Sequence, residues 1–475
     1  MSSDQPPVSR LQQRRPSLTL KTGQELPARA VSPPSPGAEA NKAGFRHRKL
    51  TREYSDAAVE TMEGEVERLD LLRGAPDKAK ASPTRRQLVS RELEDKEATE
   101  REDSLEPLLP VAGVLGTYSA HGIEPGEEDS DAPVAKINQD CGCVCFPVGD
   151  DSEPRALVVV MDGHGPFGEL VSRTAMGSVV QSLEGSALLS SDPVAALEAS
   201  FDAAQQTLLD GIEAQTMAVT GDPLHSGATA IAVLLGPSSI VVANAGDCRA
   251  VVGVAAPPGA PDPAAVEVRQ LNEEHKPDGK REQARVEAGG GFVRPARRDD
   301  DGFVRPARLY YGATSRGPGL AISRAIGDVL ARQAGLTHQP EVTQWKLSGG
   351  GDAAAEEAAE EAAEEAAAAT PAVADAPLGE AGSGGELDAA LLGPCRLCSR
   401  DDALFLIVGT DGLWELMPSQ VAADLVLPLY RRGAPASAAA ELLISEAAAR
   451  WKEDEGDYRD DITVVVLYLP SALPR

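Results

Sequence analysis

Short apolar runs rich in β-branched residues recur from about residue 111 onward, bounded by Gly, Pro, Ser and Asp. The runs Leu157–Met161, Thr229–Leu235, Ile240–Ala243, Arg249–Val254, Phe405–Val408 and Ile462–Leu469 predict strands. Between them, apolar residues at helical spacing predict helices over Phe167–Leu183, Pro193–Met217, Lys280–Ala288, Pro418–Tyr430 and Ser437–Trp451. Strand clusters alternating irregularly with helices point to an α+β domain in which two sheets pack together under a cover of helices.

Before residue 106 the pattern is different. Residues 1–105 are rich in Pro, Ser, Arg and Gln, and their one weak helical stretch lies at Val59–Leu72. Such a segment buries too little apolar surface to offset its ordering entropy, so a disordered extension is expected, followed by one domain over 106–475. Its first 50 residues carry 9 basic and 3 acidic side chains, which leaves a plastid or mitochondrial transit peptide open, against Asp4, Glu25 and the prolines. Arg14-Arg15-Pro16-Ser17, Ser32-Pro33, Ser35-Pro36 and Ser82-Pro83 resemble kinase sites, but an ordinary polar tail is the preferred reading of each.

Two insertions interrupt the domain. Gly291-Phe292-Val293-Arg294-Pro295-Ala296-Arg297 returns as Gly302 to Arg308, a duplicated loop that supplies Arg294, Arg297, Arg298, Arg305 and Arg308 and could help dock a phosphorylated partner. Ser348–Pro394 holds Ala-Ala-Glu-Glu three times and 11 acidic residues without a Lys or Arg. It reads as a solvated excursion rather than a docking element, because adjacent glutamates repel and no large apolar residue anchors the repeats.

Charge and cysteine usage narrow the function classes. The formal net charge is -29, which argues against nucleic acid as a partner. No apolar stretch approaches the roughly 18 residues of a membrane span, and none resembles a secretory core. A soluble, monomeric protein is expected, without a membrane or nucleic-acid partner. The six cysteines are too few to staple a secreted fold of this size, so the expected setting is intracellular, cytoplasm or nucleus, with a plastid open. Cys141, Cys143 and Cys145 alternate at strand period as small buried hydrophobes; Cys395-x-x-Cys398 has no partner pair nearby in sequence.

The candidate chemistry lies at strand ends. The run to Met161 is expected to end at Asp162-Gly163-His164-Gly165, where the glycine would leave ligands free to approach. Asp and Gly also end strands merely because they make turns. The layout recurs, however, with Asp247 after Ile240–Ala243, Asp411 after Phe405–Val408 and, in reverse order, Asp460-Asp461 before Ile462. Four acids at four strand ends could share one sheet edge, and oxygen-only ligands suit Mg²⁺ or Mn²⁺ rather than zinc.

Eight segments in fixed order resemble the metal-dependent protein serine/threonine phosphatases of type 2C, in their plant, algal and protist-like branch. They are Lys136-Ile137-Asn138-Gln139-Asp140, Val160 to Gly165, Ser226 to Ala230, Ala243 to Arg249, Glu274-His275-Lys276-Pro277, Pro318 to Asp328, Gly409 to Glu415 and Asp460-Asp461-Ile462-Thr463. The resemblance implies a four-layer α-β-β-α sandwich and a site holding two Mg²⁺ or Mn²⁺ ions, with room for a third. It implies Asp162 bridging the ions, the Gly163 carbonyl on one, Asp411 and Asp460 on the other, and Asp247 at the third position. Asp140 would orient the attacking water and His164 would protonate the leaving serine or threonine oxygen. Phosphorylated proteins would be the substrates. Two departures stand out: Gln139 replaces a carboxylate, and the phosphate-clamping arginine is absent, leaving Lys136 as the stand-in. Those departures keep open a pseudophosphatase that grips phosphoproteins while hydrolysing them poorly.

Overall fold

The computed structural model describes residues 86–92, 113–126, 133–149, 154–213, 223–298 apart from 257, 258 and 263, then 304–311, 319–348, 395–399 and 402–469. Along the chain the strands are β1 Arg86–Val89, β2 Arg91–Glu92, β3 Leu115–Ala120, β4 Ile123–Glu124, β5 Val134–Ala135, β6 Asp140–Val148 and β7 Arg155–His164. They continue as β8 Gly227–Leu235, β9 Ser239–Ala245, β10 Arg249–Ala255, β11 Val266–Gln270, β12 Phe292–Arg294, β13 Arg297–Arg298, β14 Val304–Arg305 and β15 Arg308–Tyr310. The last five are β16 Ile326–Gly327, β17 Glu341–Ser348, β18 Cys395–Ser399, β19 Ala403–Gly409 and β20 Ile462–Tyr468. The helices are α1 Gly168–Glu184, α2 Pro193–Glu213, α3 Lys280–Ala288, α4 Asp411–Trp414, α5 Ser419–Arg431 and α6 Ala436–Glu455.

One sheet runs β1-β6-β7-β8-β9-β17-β18 with β16 beside β8, and the other runs β11-β10-β19-β20-β3-β2. Both are antiparallel except at an edge, where β18 joins β17 and β2 joins β3 in parallel. Side-chain alternation builds the layers. Val158 and Val160 of β7 enter a core shared with β19, β20, α5 and α6, whereas Leu157, Val159 and Met161 pack against α1 and α2. A strand buried on both faces must be apolar at every position, which explains the continuous run. The result is the four-layer α-β-β-α sandwich, and no described helix is long and apolar enough to cross a membrane.

Two expectations need correction. The extension over 1–105 is not structureless throughout, because Arg86–Val89 pairs with Cys143–Phe146 and Arg91–Glu92 pairs with Tyr118–Ser119. Between them Ser90 donates its N–H to the Gly142 carbonyl at 2.8 Å, and its hydroxyl bonds that of Thr117. Two- and four-residue strands carry no periodicity; their backbone hydrogen bonds come from sheet edges that local sequence cannot reveal. The Val59–Leu72 stretch and residues 349–394 lie outside the described residues. Second, the strand does not stop before Asp162: β7 runs through to His164, with Asp162, Gly163 and His164 in register with Thr229, Ala228 and Gly227.

The duplicated loop folds back on itself. β12 pairs β15 and β13 pairs β14, setting Arg294 opposite Arg308 and Arg297 opposite Arg305. Val293 and Leu309 anchor this hairpin in a small separate core with Val286 of α3, Ile322, Ala325 and Leu336.

Candidate active site

Register builds the site first. Asp140, the first residue of β6, lies opposite Asp162 near the end of β7. Asp411 opens α4 directly after β19, and Asp460 sits just ahead of β20. Asp247 follows the Gly246 turn (φ +130), where a Cβ would come within 2.3 Å of the Thr229 Cβ, so only glycine lets the chain bend there.

Three of the predicted ligands converge. One carboxylate oxygen each from Asp162, Asp247 and Asp411 lies within 4.8 Å of the others. Asp162 and Asp247 are buried, and carboxylates so close repel one another strongly unless a cation joins them. An all-oxygen donor set of this size fits a hard divalent ion. Asp460 lies outside that trio. Its Oδ1 accepts from Lys136 Nζ at 3.0 Å and from the Asp461 N–H at 2.9 Å. Lys136 is therefore at the site, buried, with its ammonium turned to Asp460.

A second ammonium fills part of the acidic cluster. Lys276 Nζ donates to Asp247 Oδ2 at 2.6 Å. Burial pulls its pKa down, yet the carboxylates of Asp247, Asp411 and Glu274 outweigh burial and hold it above the usual lysine range. Burial raises the Glu415 carboxyl to about 7, with Lys276 opposing and Asp460 and Asp247 adding to the rise.

Asp140 is fixed by the Thr410 hydroxyl, which donates to its Oδ2 at 2.8 Å. His164 Nε2 lies 2.6 Å from Asp328 Oδ2. Asp328 is buried and adopts a left-handed backbone (φ 44), held by its N–H bond to the Ser226 carbonyl at 2.8 Å. The contact needs Gly227, since a Cβ there would meet Asp328 Oδ2 at 2.2 Å. Asp328 carries no role in the sequence reading; its signal was that Ser226-Gly227 and Ile326-Gly327-Asp328 each hold a glycine beside a polar residue.

Gln139 does not act as a ligand. Its Nε2 donates to the Gly165 carbonyl at 2.8 Å and to Glu169 Oε2 at 3.2 Å. Glu169, in the first turn of α1, is 4% exposed; burial raises its pKa, while bonds to its own backbone N–H and to Gln139 oppose the rise. Gly163 also has a packing role. Its N–H donates to the Gln139 carbonyl, and a Cβ would fall 2.4 Å from the Gly168 oxygen and 2.5 Å from the Gln139 oxygen. The glycine lets α1 and the residue before β6 close onto β7.

With this geometry in hand, residues 134–354 match the family model Protein phosphatase 2C. Over that stretch the chain is similar to the protein phosphatase 2C family. It is 27% identical over 346 residues to Probable protein phosphatase 2C 34 of Arabidopsis thaliana, covering 71% of this chain and 78% of that one. It is 27% identical over 354 residues to Probable protein phosphatase 2C 48 of Oryza sativa subsp. japonica, covering 70% and 81%. Serine-threonine phosphatase 2C from Toxoplasma gondii aligns over 76% of this chain and 98% of its own at 18% identity, TM-score 0.48.

Proposed function

We propose that this phosphatase 2C hydrolyses phosphoserine and phosphothreonine in proteins with the help of Mg²⁺ or Mn²⁺. The observation that carries the reading is the convergence of Asp162, Asp247 and Asp411 within 4.8 Å at the edge where β6 begins and β7 ends. These three, with the Gly163 carbonyl and Asp460, are the groups that would hold two ions or three. Bound divalent ions supply charge neutralisation of the phosphoryl group and a more acidic water.

The chain's own residues do the rest. Asp140, locked by Thr410, faces Asp162 across the strand pair and is placed to orient the attacking water. Asp328, 2.6 Å from His164 Nε2, orients the ring, and His164 is the group that would protonate the departing serine or threonine oxygen. Lys136 and Lys276 add positive charge where the phosphate arrives. The reading extends to a single chain acting inside the cell, in keeping with the buried free thiols of Cys141, Cys143, Cys145 and Cys248.

The test is phosphate release from a phosphothreonine peptide by the full chain with and without Mn²⁺. Turnover is expected only with metal, and Asp162→Asn should remove it while leaving the circular dichroism spectrum unchanged. Metal-independent turnover, or an active Asp162→Asn protein, would overturn the reading; binding of the peptide without turnover would favour the pseudophosphatase.

A further inference from the structure

Gln205 is a polar residue in an apolar stripe. Leu197, Phe201, Ala204 and Leu208 of α2 are buried in the core between the helices and the first sheet, and Gln205 lies among them at 3% exposure. A buried amide costs free energy unless its hydrogen bonds are satisfied. Here one end is: Oε1 accepts the Gly327 N–H at 2.8 Å, whereas the buried Nε2 has no hydrogen-bond partner among the described residues. Packing between α2 and its neighbours would be served as well by an apolar side chain of the same size, without a stranded donor. What selects glutamine is the Gly327 N–H.

That bond crosses 122 residues to a turn that has to be held. Gly327 (φ 90) and Asp328 (φ 44) are successive left-handed residues, a conformation that a residue with a side chain keeps only where its surroundings impose it. β16 is two residues long and rests on the start of β8, with Ile326 opposite Ala228 and Gly327 opposite Gly227. Two bonds fix the chain there. The Asp328 N–H donates to the Ser226 carbonyl at 2.8 Å from one side, and the Gly327 N–H donates to Gln205 from the other. The fit is close, since a Cβ on Gly327 would meet the Ser226 oxygen at 2.7 Å and the Gly227 Cα at 3.0 Å.

The turn delivers Asp328 Oδ2 to within 2.6 Å of His164 Nε2. His164 ends β7 opposite Gly227, so ring and carboxylate meet over the same glycine: a Cβ there would lie 2.2 Å from Asp328 Oδ2 and 2.8 Å from His164 Nε2. None of the proposed metal ligands belongs to α2. Loss of the Gln205 bond would therefore loosen the partner of His164 while leaving every ligand in place.

We propose that Gln205 is a positioning residue for proton donation by His164, acting through the Gly327-Asp328 turn. The inference rests on the proposed phosphatase reading, and the experiment separates the two. The full chain with Mn²⁺ is assayed on a phosphothreonine peptide and on p-nitrophenyl phosphate, whose phenolate departs without a proton where a threonine alkoxide needs one. Gln205→Leu is compared with the parent, with Asp328→Asn and with the double variant. In parallel, the imidazole nitrogen signals of His164 are recorded by NMR at pH 7.5 on the metal-free chain, assigned by their loss in His164→Gln.

Gln205→Leu is expected to lower kcat on the peptide about tenfold, with KM and the Mn²⁺ requirement unchanged and less than about a twofold effect on p-nitrophenyl phosphate. Added to Asp328→Asn it should change the peptide rate little, because both act through one contact. The His164 signals should move in the same direction in Gln205→Leu as in Asp328→Asn. Equal losses on the two substrates would overturn the inference, as would a parent-like peptide rate, additive losses in the double variant, or unmoved His164 signals. If Gln205→Leu does not fold, Gln205→Met, which keeps the length of the side chain and loses the carbonyl, takes its place; failure of both to fold would make the residue structural and overturn the inference. Absence of turnover by the parent on both substrates would count against the phosphatase reading alone, because the His164 signals still decide whether Gln205 holds the Asp328 contact.

Discussion

Replacing Gly163 by Ala is the sharpest test of how the site is built. A Cβ at this position would lie 2.4 Å from the Gly168 oxygen, 2.5 Å from the Gln139 oxygen and 2.6 Å from the Gly168 carbonyl carbon. All three are backbone atoms, from the α1 entrance and from the residue before β6, so no side chain can rotate away. Clearing them to ordinary contact needs a backbone shift of roughly 1 Å, and overpacking of this kind costs about 1–3 kcal/mol. The lower entropy of an unfolded Ala chain returns about 0.4–1 kcal/mol, leaving a net loss of about 1–2 kcal/mol. Because Asp162 is the adjacent residue, the same shift should move its carboxylate relative to Asp247 and Asp411 and weaken Mn²⁺ binding about tenfold or more. Urea unfolding of the metal-free protein gives the first quantity, and calorimetric Mn²⁺ titration of the folded protein gives the second. A Gly163→Ala protein as stable as the parent, with unchanged Mn²⁺ affinity, would refute the packing argument.

Four further outcomes are expected. Asp328→Asn should lower kcat about 10- to 100-fold with Mn²⁺ affinity unchanged, because it removes the charge behind His164 but no ligand; equal losses in metal binding would show a merely structural role. Glu282 accepts from Arg285, Arg324 and the Ser323 hydroxyl, so Glu282→Gln leaves two guanidinium groups poorly compensated and should cost about 3 kcal/mol in urea unfolding at pH 7.5. The related Glu341 carboxyl is lowered to about 2, first by its bond to His275, against burial, with His275, Arg281 and Arg324 charges assisting. A carboxyl depressed on folding contributes stability above its unfolded pKa and loses it as pH falls toward its folded value. The window is about pH 4.5 to 2, and Glu341→Gln should flatten the stability profile there. Finally, burial raises the Cys141 thiol to about 12, with Ser172 and Arg173 opposing, so iodoacetamide at pH 8 should modify it only after unfolding, as peptide mass mapping would show.

Periodicity alone was enough to place most elements. The helices over 168–184, 193–213, 280–288, 419–431 and 436–455 and the central strands follow from apolar spacing, because a buried face imposes its period on the chain. The residue types at strand ends likewise singled out Asp162, Asp247 and Asp411, whose carboxylate oxygens the fold brings within 4.8 Å of one another. What the sequence could not decide is how nonlocal partners divide those groups. Pairing across 164 residues joins His164 to Asp328, and pairing across 324 residues joins Lys136 to Asp460. No local pattern encodes such contacts; they exist only once two sheets have closed on one edge. The Arg86–Glu92 strands and the arginine ranks of the hairpin depend in the same way on register, which is set by the partner strand rather than by the residues themselves.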